Sequence, residues 1–100
     1  MNVDVQIYVS NFIKFFRENP NELASIIGQA SSDDFYTEVE KAAYENYEKG
    51  EDIELTQKQL INIVLKLNKM QPEEEIERVE ENVVALAPIM ETSYGLIFLN

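Results

Sequence analysis

Residues 56–70 read TQKQLINIVLKLNKM, and this stretch carries most of the information about the fold. Thr56 and Gln59 have the Thr-x-x-Gln spacing of a capping box, which marks the start of a helix. Apolar side chains then cover well over half of the helix circumference. A helix that is apolar on so many sides must be covered by neighbours on two of them. The stretch therefore predicts the central helix of a helical bundle, with the apolar residues Leu60, Ile61, Ile63, Val64, Leu65 and Leu67.

The first candidate helix covers residues 4–18, where apolar side chains recur at helical spacing on one broad face. Phe12, Phe15 and Phe16 lie on that face and are predicted to pack in the core. Residues 3–9 also alternate between apolar and polar side chains, which leaves a strand open as an alternative for the beginning of this segment.

Two further helices are predicted between residues 19 and 50, of which the first is short. Asn19 is expected to cap the first of them, Glu22 to complete a capping box, and Gly28 to end it. Ser31 or Ser32 is expected to cap the second, which Gly50 ends. The apolar stripe of this second helix comprises Phe35, Tyr36, Val39, Ala42, Ala43, Asn46 and Tyr47.

A last helix is predicted over residues 73–87, begun by Pro72 and ended by Pro88. Residues 94–100 read YGLIFLN, which predicts a turn followed by a short strand or a docked extension. The expected fold class is thus mostly α. It is a compact bundle of four to five short helices with an extended C-terminal tail, forming one acidic domain over residues 1–100. The apolar residues of the last helix are spaced 3, 4 and 3 positions apart and form a narrow, heptad-like seam. We call it the seam of the last helix; it comprises Ile76, Val79, Val83 and Leu86.

Composition excludes several kinds of active site. The chain has no Cys and no His, so it lacks thiolate nucleophiles, imidazole bases and the commonest transition-metal ligands. Its three Gly residues are isolated, so no glycine-rich phosphate loop is present. We therefore predict no catalytic, cofactor-binding or metal-binding residues and no enzyme activity. The alternative is an enzyme that uses carboxylates, with or without a metal ion.

The formal net charge of −11 predicts the class of partner. A field of this sign repels phosphate, so nucleic acid is not expected to bind directly. Residues 71–100 carry seven acidic side chains and a single Arg. The main hypothesis is accordingly a protein–protein interaction module that engages a basic protein partner. Its candidate docking face on the last helix comprises Glu74, Glu77 and Glu81.

Each charged or aromatic feature also has a simpler interpretation. The acidic face of the last helix is also typical of a solvated surface, and a weak divalent-cation site is a third alternative. Residues 51–54 lack the ligand spacing of a calcium loop and are predicted to be a solvated connector. Tyr44 lies on the polar side of its helix. It is either an isolated exposed aromatic residue or part of an interface. The cations Lys58, Lys66 and Lys69 share one helical face and are expected to balance the acidic helix that follows or to face water. Binding of an anion or phosphate is the alternative.

Two segments resemble small uncharacterised proteins of tailed marine bacteriophages. They are residues 54–60, ELTQKQL, and residues 91–100, ETSYGLIFLN. The resemblance covers about a fifth of the chain, and neither motif carries specific chemistry. It implies the cytoplasm of an infected bacterium as the setting and transfers no activity and no site residues.

The sequence predicts that the protein associates with itself and does not associate with membranes. No apolar run approaches the roughly 20 residues that a bilayer requires, and residues 1–10 lack the basic residues of a secretory signal. Val3 and Ile7 fall on the otherwise polar side of the first helix. Together with the seam of the last helix and an apolar run at the C-terminus, they predict a homodimer or small homo-oligomer. The run that we expect to self-associate comprises Leu96, Ile97, Phe98 and Leu99.

Overall fold

The computed structural model describes residues 2–28, 30–68 and 73–94, with the side chains of residues 77–92 in the last of these ranges. Within them the chain forms five helices and no strand. The predicted mostly α bundle is confirmed. The strand alternative for residues 3–9 is wrong, since the whole segment is helical. The helices are α1 (Val3–Glu18), α2 (Pro20–Ile27), α3 (Ser32–Glu48), α4 (Gln57–Asn68) and α5 (Glu73–Tyr94).

A single hydrophobic core receives buried side chains from all five helices. Its largest group is aromatic and comes mainly from α1. The Phe12 ring contacts Tyr8 edge to face at a centroid distance of 5.1 Å and Phe35 at 6.3 Å. Phe16 contacts Phe35 at 5.6 Å, and Phe15 contacts Phe16 at 4.9 Å. The predicted core positions Phe12, Phe15 and Phe16 are confirmed, each at most 1% exposed.

These contacts also fix the direction of α3 relative to α1. Phe35, near the start of α3, packs on the second half of α1. Leu55, which follows α3, donates its backbone N–H to the Tyr8 hydroxyl at 3.0 Å, in the first half of α1. The two helices therefore run antiparallel, and the connector after α3 lies beside the beginning of α1.

The helix α4 begins as the sequence predicts. The Gln59 backbone N–H donates to Thr56 Oγ1 at 3.0 Å, and the Thr56 N–H donates to Gln59 Oε1 at 2.9 Å. This reciprocal pair is the predicted capping box. The helix packs against α2, α3 and α5, which supplies the expected cover on more than one side. The expected end of α4 near Met70 lies outside the described residues.

A polar pair joins α3 to α4 inside the bundle. Asn46 is 5% exposed and is the one buried polar side chain among the described residues. Its amide donates to Gln59 Oε1 at 3.3 Å, and Gln59 Nε2 donates back to Asn46 Oδ1 at 3.0 Å. Because both amides are satisfied, the pair holds the two helices in one register without an unpaired polar group.

The predicted capping role of Asn19 is wrong. Its side chain makes no capping bond to α2 and instead donates from Nδ2 to the Phe15 carbonyl at 2.9 Å. A single residue separates α1 from α2, so one amide must serve two helix ends. It satisfies a carbonyl at the end of α1, and the Asn19 backbone carbonyl accepts from the Glu22 and Leu23 N–H groups. Gly28 and Gly50 end their helices as predicted, at positive φ values of 59° and 76°.

The predicted end of the last helix at Pro88 is also wrong, because α5 continues to Tyr94. Proline cannot donate to the carbonyl four residues earlier, that of Val84. Both residues lie on the exposed side of α5, where water can serve that carbonyl. Met90, beyond the proline, is 1% exposed and anchors the last turns in the core.

The seam of α5 is buried inside the chain. Val79, Val83 and Leu86 are at most 5% exposed, while the side chain of Ile76 lies outside the described residues. The seam packs on the protein's own core, so the expectation that it contributes to self-association is wrong. The apolar run Leu96, Ile97, Phe98 and Leu99 lies outside the described residues.

Tyr47 is the one member of the predicted α3 stripe that is exposed, at 45%. At about 100° per residue it lies roughly 80° from the centre of the stripe formed by Phe35, Val39 and Ala43. Asn46 takes the inward position beside it. The Tyr47 ring stacks instead on Tyr44, which is 41% exposed, at a centroid distance of 6.0 Å.

Replacing Tyr8 by Phe should lower the free energy of unfolding by about 1–3 kcal/mol, because the Leu55 N–H then loses its acceptor inside the core. Urea unfolding followed by circular dichroism measures the change. A variant as stable as the wild type would show that this hydrogen bond contributes nothing to folding.

The same variant should change the response to alkaline pH. Burial raises the pKa of Tyr8 above its ordinary value. The neutral hydroxyl is thus favoured in the folded state, and this contribution is complete below about pH 10, the ordinary pKa of tyrosine. As the pH rises further, the unfolded state loses its proton first and the wild type loses stability. The stability difference between the wild type and Y8F should therefore shrink above that pH.

Candidate protein-docking surfaces

The acidic face of α5, defined by Glu74, Glu77 and Glu81, is on the outside of the bundle where it is described. Glu77 and Glu81 are exposed and lie one turn apart, on the side of the helix away from its seam. Glu74 belongs to α5 by its backbone, and its side chain lies outside the described residues. The two described carboxylates can therefore meet a partner.

A second acidic surface lies where the beginning of α1 meets the connector after α3. Here a groove of about 450 Å³ is lined from α1 by Asp4, Ile7, Tyr8 and Asn11, and from the connector by residues 51–54. We call it the α1 groove. Four of its eight lining residues are acidic and none is basic. Sequence reasoning placed residues 51–54 in a solvated connector and did not find this groove. Its carboxylates are Asp4, Glu51, Asp52 and Glu54.

The walls of the α1 groove are held by contacts on both sides of the connector. The hydrogen bond from Leu55 to Tyr8 fixes one end of the connector to α1. At its other end, the Glu51 N–H donates to the Asn46 carbonyl at 2.9 Å. Burial raises the pKa of Tyr8, and the negative charge of Glu54 near this hydroxyl raises it further. The connector wall of the groove is thus anchored at both of its ends.

Leu55 is the residue that anchors the connector, and it is fully buried. The sequence carries a local signal for this anchor. Leu55 directly precedes the capping residue Thr56, and Leu60 lies at the fourth helical position. Apolar residues at these two places are typical of a hydrophobic staple, which fixes how a chain enters a helix.

Among the described residues, the α4 cations form no ion pair with the acidic helix that follows, although the sequence predicted one. Lys66 pairs with Glu38 of α3 at 3.1 Å, because this side of α4 faces α3. The Lys66 side chain is 63% exposed, so the pair adds little to stability. Lys58 is exposed, and Lys69 lies outside the described residues. Of the α1 cations, Lys14 and Arg17 line a different surface from the α1 groove.

The described residues show little that resembles a catalytic centre. Within residues 2–28, 30–68 and 77–92, no three acidic side chains are grouped closely enough to hold a metal ion. No carboxylate is buried in that part of the chain, where Tyr8 is the buried titratable side chain. Tyr8 accepts a backbone hydrogen bond in the core, so its hydroxyl has a structural role.

Helix length and hydropathy in the described ranges give no candidate for a membrane-spanning helix. Comparisons of the chain with protein-family models, with curated proteins and with solved structures gave no significant match.

Proposed function

We propose that this protein is a non-enzymatic interaction module whose acidic surface binds a basic protein partner. The observation that carries the proposal is the α1 groove, which four carboxylates line and which has no Lys or Arg among its lining residues. No ion pair neutralises these four groups within the described part of the chain. A cationic partner would supply the charge that the groove lacks.

The net charge of the chain supports the same partner class. A surface with a charge of −11 raises the local concentration of cations and accelerates the approach of a basic protein. It repels the phosphates of nucleic acid by the same force. The exposed Glu77 and Glu81 of α5 extend this negative field beyond the groove.

The proposed setting is the cytoplasm, and specifically that of an infected bacterium. It rests on the resemblance of residues 54–60 and 91–100 to small phage proteins. A basic protein of the host would then be the natural class of partner.

Binding to a cationic probe tests the proposal. The probe is a synthetic amphipathic peptide of Lys, Arg and Leu, here called the basic peptide, and its control has Glu at every Lys and Arg. We expect the full chain to bind the basic peptide at low salt and to release it at about 1 M salt, where the Debye length falls to about 3 Å. Calorimetric titration measures both affinities. An absence of binding, or equal binding of the acidic control, would contradict the proposal.

We also propose that the protein forms a homodimer or small homo-oligomer. The apolar run at residues 96–99 and Val3, which is 65% exposed and does not line the α1 groove, are the apolar groups that a second copy would cover. Light scattering behind size exclusion at moderate salt should show more than one chain per particle. A version ending at Ser93 should have fewer chains per particle if the run at residues 96–99 takes part in self-association. A monomeric full-length chain contradicts self-association, and an oligomer unaffected by the truncation contradicts the role of that run.

A further inference from the structure

An uncovered apolar strip runs along the first two turns of α1. Ile7 is 54% exposed, and Val3, one turn earlier on the same helix, is 65% exposed. Ile7 lines the α1 groove, and the half-buried Ile53 lines it from the opposite wall. The groove is therefore amphipathic: it presents apolar side chains between carboxylates.

The charge of the groove selects among its potential occupants. Asp4 lies on α1, and Glu51, Asp52 and Glu54 follow one another along the connector, so carboxylates border the apolar strip from both walls. An apolar ligand alone would leave these charges desolvated and unpaired. A ligand that carries cations beside an apolar side chain satisfies both parts of the surface.

A second copy of this chain is the less suitable occupant. Each copy carries the charge of −11, and the eight cations are dispersed along the sequence rather than gathered in one basic segment. A copy seated in the groove would bring further carboxylates to those already there. Charge complementarity instead favours a different protein with closely spaced Lys or Arg residues.

Resting on the proposed function, we propose that the α1 groove binds a short basic amphipathic segment of another protein. Lys or Arg side chains of that segment pair with Asp4, Glu51 and Glu54. A large apolar side chain between them packs on Ile7. The hydrogen bond between Leu55 and Tyr8 anchors one end of the connector before binding, which reduces the entropy that this wall loses when a ligand binds.

Charge-matched double variants of the full chain test the location. E51Q/E54Q neutralises two carboxylates of the groove, and E77Q/E81Q neutralises two exposed carboxylates of α5 with the same change in net charge. The groove variant should weaken binding of the basic peptide about two- to fivefold for each lost pair, the size of exposed ion-pair effects. The α5 variant should weaken it less. Thermal unfolding followed by circular dichroism checks that both variants fold.

The apolar contact has its own test. A second peptide keeps every Lys and Arg of the basic peptide and replaces each Leu by Ser. The wild type should bind the Leu peptide more tightly than the Ser peptide. I7S should bind the two peptides almost equally, because the Leu contact is gone, while V84S, an exposed change on α5, should keep the preference of the wild type.

The outcomes separate the inference from the proposed function. If E77Q/E81Q weakens binding as much as E51Q/E54Q, or if I7S keeps the preference for Leu, the groove assignment is overturned while binding to a basic partner stands. If the wild type binds neither peptide, both are overturned. If I7S instead converts an oligomer into a monomer in light scattering, a second copy occupies the strip and the assignment to a basic segment fails.

Discussion

Replacing Phe12 by Ala should lower the free energy of unfolding by about 3–5 kcal/mol, the largest single effect that we expect. The Phe12 side chain is fully buried and lies among the rings of Tyr8, Phe16 and Phe35. Its removal leaves a cavity at the place where α1 meets α3, and the aromatic contacts on three sides limit how far the core can relax. Urea unfolding followed by circular dichroism gives the change directly.

V3A is the matched control on the same helix. Val3 is 65% exposed, so its truncation should change the free energy of unfolding by no more than about 0.5 kcal/mol. Equal effects of F12A and V3A would mean that the aromatic cluster is not the core of this fold.

Replacing Leu55 by Ala should cost about 2–5 kcal/mol, although this residue belongs to a connector and not to a helix. Leu55 is fully buried beside the capping box of α4, and its backbone N–H binds Tyr8. The variant removes the anchor that holds the connector against α1. Because the same connector forms one wall of the α1 groove, L55A should also weaken binding of the basic peptide.

The stability of L55A is measured by the same urea titration, with I89A as its control. Ile89 is 51% exposed on α5, so its truncation should leave the free energy of unfolding nearly unchanged. A stable L55A with an intact circular dichroism spectrum would show that the connector is not anchored as described.

The helices could be predicted from the sequence because their signals are local. Each signal acts within one helical turn. The structure confirms the capping box of Thr56 and Gln59 and the helix ends at Gly28 and Gly50. Apolar periodicity placed Phe12 and Val83 in the core for the same reason. Such features depend on residues that are close in sequence.

The errors arise where a local signal meets a tertiary contact. Pro88 normally ends a helix, but the burial of Met90 holds α5 together beyond it. Asn19 has the right side chain for an N-cap, yet its amide serves the preceding helix. Asn46 and Tyr47 were both predicted to face inward, but only Asn46 is buried, where it pairs with Gln59, 13 residues away in sequence.

The α1 groove could not be predicted because its two walls are distant in sequence. The contact between Tyr8 and Leu55, 47 residues apart, brings Asp4 and Ile7 to the connector. The sequence did show that Ile7 lies on the polar side of α1 and that residues 51–54 are acidic. Only the antiparallel packing of α1 and α3 combines the two observations into one surface.

Amide chemical shifts of the full-length, ¹⁵N-labelled protein, recorded while the basic peptide is added, test the central claim most directly. We predict that the largest changes fall on residues 4–11 and 51–54. They should disappear at about 1 M salt, where the Debye length is only about 3 Å. Changes centred on Glu77 and Glu81, or spread evenly over the acidic surface at every salt concentration, would contradict binding in the α1 groove.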